Sequence, residues 1–131
     1  MRESCSGLLA LVVLKLSEKL SLTSGQVAVA AELLAREKFQ GKKSASVTES
    51  INAVLASIGL QGEVEVRDEV YDVKVLGEKS CPLKKLCPLP FYVASGTRIL
   101  SGAKVYPVWE NGQVVHEENN LCVFRLKPVK A

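Results

Sequence analysis

Three thiols and one imidazole are the residues with the most reactive potential in this 131-residue sequence. Cys81 and Cys87 each open a Cys-Pro-Leu triplet, and Cys122 sits in Asn-Leu-Cys-Val-Phe-Arg-Leu, shortly after His116, the only histidine. Thiolates carried on turns are common ligands of tetrahedral zinc. The five-residue gap between Cys81 and Cys87 is wider than the two to four residues of a zinc knuckle. Three readings of the residues therefore stay open: buried thiols with a packing role, a metal site built from Cys81, Cys87, Cys122 and His116, and a reversible disulfide between neighbouring turns. Cys5 is remote from the others and reads as an incidental small residue.

These residues need elements to hold them. Proline fixes φ and removes an amide, so Cys81-Pro and Cys87-Pro mark turns. Pro88 and Pro90 suit a first helical turn, and Phe91 to Leu100 is expected as a helix ended by Gly102. Phe91, Tyr92, Ser95, Ile99 and Leu100 share a face, with small Ser95 and Gly96 at its middle. A mid-helix glycine costs about 1 kcal/mol against alanine, which close approach of a backbone or a ligand would justify. A meander is expected after this helix: Ala103 to Trp109 with Pro107 at an edge, an Asn111-Gly112 turn, Gln113 to Glu117, an Asn119-Asn120 turn, and Leu121 to Leu126. In the last strand Cys122, Phe124 and Leu126 share the apolar face.

Upstream, residues 62–76 alternate valine with charge and read as two half-buried strands turning near Asp68-Glu69. Before them come three helical patterns. Residues 6–20 carry Leu8, Leu9, Leu11, Val12, Leu16 and Leu20 and are buried in the core or against a second copy. Thr23 with Gln26 forms a capping box, followed by the apolar face Val27, Ala30, Ala31, Leu34 and Ala35 and by Gly41. Ser46 with Glu49 repeats the signature ahead of Ile51, Val54, Leu55, Ile58 and Gly59. The expected fold is thus α+β, a single domain over 1–131. A helical half over 1–61 packs on an antiparallel sheet of about four to five strands formed, with the cysteine-bounded loop and helix, by 62–131.

Composition narrows the function. The net charge of +3 is spread evenly, +2 over residues 1–61 and +1 over 62–131, and Lys42-Lys43 and Lys84-Lys85 are short pairs. A nucleic-acid binder concentrates its charge on one face, so none is expected here. The apolar run Leu8 to Leu14 is far shorter than the roughly 20 residues a spanning helix needs. Glu3 ahead of it and no small-x-small site after Lys15 argue against a secretory signal, so a cytoplasmic protein is expected. In a reducing compartment, clustered cysteines favour metal or redox chemistry over structural disulfides.

The sequence contains no Gly-rich phosphate loop, no Ser-His-Asp pattern and no paired inward carboxylates, and Glu32, Glu37 and Glu49 fall on solvated positions. A cysteine nucleophile with His116 as base is formally available, but a non-catalytic role is favoured.

The helix-to-hairpin passage Val54-Leu-Ala-Ser-Ile-Gly-Leu with Glu63-Val-Glu-Val, Cys87-Pro-Leu before an apolar helix holding Gly96, and the ending Asn119-Asn-Leu-Cys122-Val-Phe-Arg-Leu together resemble the vinyl-reductase-type, or hydrocarbon-binding, domain. That fold is shared with haem-nitric-oxide-binding sensor domains and TRAPP vesicle-tethering subunits, and the likeness covers roughly residues 25–128. The chain departs from the pattern in the Glu-Glu-Asn-Asn turn before Cys122 and in the short helix after Cys87. The resemblance implies a homodimeric small-molecule-binding or sensory domain whose cysteines can hold a metal. The expected ligand is an apolar small molecule between helices and sheet, near Phe91, Tyr92, Ser95, Gly96, Ile99 and Phe124. Zinc on Cys81, Cys87, Cys122 and His116, an iron–sulfur cluster on the thiolates, or a thiol redox role stand as alternatives.

Overall fold

A computed structural model describes residues 23–43, 46–76, 87–110, 112–118 and 121–129, with 12, 15, 16 and 19 from the N-terminal segment. Cys5, Cys81, Lys84-Lys85, Asn111 and the Asn119-Asn120 turn lie outside the described residues. Of the helix expected over 6–20, the four described residues are helical.

Helix α1 (Ser24–Phe39) starts where its first orphan amides find partners. Thr23 Oγ1 accepts from the Gln26 amide at 3.2 Å, and Gln26 Oε1 accepts from the Thr23 amide at 2.8 Å. Its buried stripe is Ala31, Ala35 and Phe39, spaced by four residues along one face. This corrects the sequence-based face: Leu34 is 59% exposed and Ala30 also faces solvent. The small alanines turn inward because the helix over Leu89–Ser101 runs close against them.

Helix α2 (Val47–Ser57) is capped by Ser46, whose Oγ accepts from the Glu49 amide at 3.1 Å. Ile51, Val54 and Leu55 are fully buried, whereas Ile58 lies just past the last turn and is half exposed. Strands β1 (Gln61–Arg67) and β2 (Val70–Leu76) form the expected hairpin around Asp68-Glu69. Gly62 lies under α2, where a Cβ would sit 2.6 Å from Leu55 Cδ1.

Both turn residues have positive φ, +49° at Asp68 and +70° at Glu69, as a two-residue turn that continues the strand twist requires. L-residues carry strain in that region, and Asn-Gly relieves it. The double substitution Asp68→Asn, Glu69→Gly is expected to raise stability by about 1 kcal/mol. A urea unfolding midpoint that fails to rise would contradict this reading of the turn.

Helix α3 (Leu89–Ser101) begins at Pro88, carries Pro90 in its first turn and ends at Gly102, which has φ +77°. It is buried along nearly its whole length, between α1 and α2 and against the sheet. Strands β3 (Val105–Pro107), β4 (His116–Glu118) and β5 (Leu121–Pro128) complete the sheet. The order is β1-β2-β5-β3, with β4 also paired to β5, and every pairing is antiparallel.

The fold is therefore α+β, with helices packed on a five-stranded antiparallel sheet. Strands β3 and β4 are shorter than the period-two pattern suggests. A Glu110–Gln113 bridge closes the turn that holds Gly112, and Val114 and Val115 then leave the ladder to fill the core. No helix among the described residues is long and apolar enough to cross a membrane.

Candidate functional site

The pleat of β5 separates the chemistry-bearing residues into two groups. Cys122, Phe124 and Leu126 face the helices, as expected, and all three are buried. Their ladder partners Val75, Val73 and Tyr71 line the same face. Cys87 sits one residue before the cap of α3 and is buried in that same core. Two of the three thiols thus share one apolar layer; the third, Cys81, is outside the described residues.

His116 is on the other side of the sheet. It pairs with Val123, and Glu117 pairs with Cys122. Directly paired residues point to the same face, so successive residues 122 and 123 carry His116 away from Cys122. Among the described residues no three His, Cys, Asp or Glu side chains converge to hold a metal ion.

Of the residues expected to line an apolar site, Phe91, Tyr92, Ser95, Gly96 and Ile99 lie on α3 and Phe124 on β5. Phe91 lies 6.0 Å, ring to ring, from Trp109. Tyr92 lies 6.0 Å from the Phe39 ring, and its hydroxyl is 3.4 Å from Ser57 Oγ. Ser95 is buried, Ile99 is half-buried at the margin of the core, and Phe124 rises from the sheet below. Gly96 does not open a space. A Cβ there would meet Val54 Cγ2 at 2.6 Å and the Phe39 ring at 3.2 Å, so close helix approach accounts for it. The polar group that sequence reasoning missed is Thr97. Its hydroxyl is fully buried and has no hydrogen-bond partner among the described residues. It directly follows the small pair Ser95-Gly96, which was the available signal.

On the outer face, Arg125 is the hub of a charge network that spacing alone did not reveal. Its Nε donates to Asp72 Oδ1 at 2.9 Å, its Nη1 donates to Glu110 Oε1, and its Nη2 lies 3.8 Å from Glu118 Oε1. The Glu110 hydrogen bond, reinforced by that to Asp72 and by both negative charges, outweighs desolvation and raises the guanidinium pKa still further. Asp72 also lies 3.3 Å from Arg67, and Glu110 lies 3.9 Å from His116 Nε2, which is buried without a hydrogen-bond partner among the described residues. A groove of about 190 Å³ runs over this network, bordered by Glu63, Glu65, Lys74 and Glu118. Most of its charges already face an opposite charge within the chain, so the network can rigidify the sheet without a ligand. Set against family models, curated proteins and solved structures, the chain matches none of them.

Proposed function

We propose that this chain is a non-catalytic small-molecule-binding or sensory domain. Its ligand is an apolar molecule bearing one hydrogen-bond acceptor, held between α3 and the layers around it. The observation that carries the reading is the Thr97 hydroxyl, fully buried and without a hydrogen-bond partner among the described residues. An unsatisfied buried hydroxyl costs about 1–3 kcal/mol, and a ligand acceptor would offset that cost. At about 100° per residue Thr97 lies on the side of α3 that carries Val93 and Leu100, away from Ser95 and Ile99. The buried Val93 and Leu100 therefore supply the apolar walls beside it, in keeping with sites that are mostly apolar with few polar anchors.

The test is native mass spectrometry of the full chain, together with melting in the presence of medium-chain ketones and alcohols. Thr97→Val is expected to stabilise the ligand-free protein by about 1 kcal/mol, read as a Tm roughly 3–5 °C higher, because it removes the unpaired hydroxyl at constant shape. The same variant is expected to lose the ligand-induced rise in Tm. No probe raising the wild-type Tm, or an equal rise in Thr97→Val, would overturn the proposal.

A second reading rests on Cys87 and Cys122 lying in one core. With Cys81 as a further thiolate they would hold zinc or, as the weaker option, an iron–sulfur cluster, and the metal would contribute folding energy. Elemental analysis tests it: less than about half an equivalent of metal, with melting unchanged by a chelator, removes it.

A further inference from the structure

We propose that β1 is the contact edge of a homodimer, in which two copies join their sheets antiparallel about Glu65. The surface is independent of any ligand in the helix layer. Strand β1 spans seven residues, contains no proline, and has a partner on one side only among the described residues. Long regular edges of this kind recruit a further strand unless something blunts them. The two-residue turn makes Arg67 and Val70 a hydrogen-bonded pair. Alternation from there directs the backbone groups of Glu63, Glu65 and Arg67 toward β2 and those of Gly62, Val64 and Val66 toward the open edge.

Side-chain chemistry selects a second copy as the occupant. On the outer face the edge reads Glu63, Glu65, Arg67. Reversed and centred on Glu65, it sets Glu63 of each copy opposite Arg67 of the other, twice. The two Glu65 carboxylates meet at the dyad, where Arg67 of each chain lies 3.4 Å from its own Glu65 and offsets their repulsion. On the helix face the same register places Val66 of each copy beside Val64 of the other. Val66 is 54% exposed although it lies on the face that the helices cover elsewhere, while Val64 is already half-buried. Helix α2 sits over the Gly62 end of β1. The antiparallel reversal carries the partner's α2 to the opposite end of the joint, so the two helices do not compete for one place.

A charge-swap experiment on the full chain tests this by sedimentation or light scattering. Wild type is expected to run at the mass of two 14.2 kDa chains. Glu63→Arg alone and Arg67→Glu alone each place like charges opposite one another at two positions and should weaken the dimer about tenfold or more. Mixing the two variants one to one restores both opposite-charge pairs, and the mixture should dimerise as wild type does. Amide exchange on unmodified protein gives a second readout: Gly62, Val64 and Val66 should slow as concentration rises, while Glu63 and Glu65 should not change. A wild-type monomer at about 100 μM, dimerisation that neither substitution alters, a mixture that stays monomeric, or capture of extended peptides by a monomeric edge would each overturn the proposal.

Discussion

Phe124→Ala is expected to cost about 3–5 kcal/mol, the largest loss any single truncation in this chain should produce. Phe124 heads the fully buried side chains by volume, and it stands mid-strand in β5 opposite Val73. Its neighbours on that face, Cys122 and Leu126, are buried too, and α3 packs from above. The sheet is hydrogen-bonded to both sides of β5, so the backbone beneath the ring cannot collapse into the space it leaves. The cavity term therefore adds to the lost transfer free energy instead of being relieved by relaxation. Against a typical domain stability of about 5–15 kcal/mol, that loss lowers the urea midpoint by about 2 M at unchanged slope. Phe124→Leu keeps most of the volume and should lose about 1–2 kcal/mol. If the two variants lose the same amount, the ring does not fill the core in the way its burial implies.

The features that were legible in the sequence are those decided within a few residues. The Thr23–Gln26 box, the Ser46 cap and the left-handed glycines at 59 and 102 are local hydrogen-bonding and φ choices, and each falls at its expected place. The Asp68-Glu69 turn is legible because valine alternation changes phase there, although neither residue is a favoured turn former. The inward face of β5 follows from period two alone.

What failed to show depends on partners distant in sequence. Leu34 and Ala31 are equally apolar as letters; the approach of α3 selects alanine for the interior and leaves leucine in solvent. Asp72 and Arg125 are 53 positions apart and meet only because β2 and β5 are neighbours in that register. The His116–Cys122 question was open to a parity argument that the sequence permits. Counting outward from the Asn119-Asn120 turn pairs 118 with 121, 117 with 122 and 116 with 123, which already puts the imidazole and the thiol on opposite faces.

Gly96 is where packing and ligand access make opposite predictions, and substitution there separates them. An added Cβ meets Val54 Cγ2 at 2.6 Å. Val54 is fully buried in α2, and a β-branched side chain in a helix has one strongly preferred χ1, so it cannot swing aside. The Phe39 ring, at 3.2 Å, also packs against Tyr92, 6.0 Å away ring to ring. Alanine at 96 gains about 1 kcal/mol of helix propensity and loses about 1–3 kcal/mol to overpacking, a net loss of about 1 kcal/mol. Valine adds two more methyl groups and gives back part of the propensity gain, so Gly96→Val is expected to cost about 3 kcal/mol or more. Val54→Ala in the Gly96→Ala background removes the colliding methyl groups. The cycle should therefore return a favourable coupling of about 1 kcal/mol or more between the two positions. A ligand-access role predicts the reverse pattern: Gly96→Ala would stabilise the ligand-free protein through propensity, show no coupling to Val54, and abolish only the ligand-induced rise in Tm. Because coupling is read from unfolding alone and the Tm rise from binding alone, the two roles are distinguished even if both variants lose some stability.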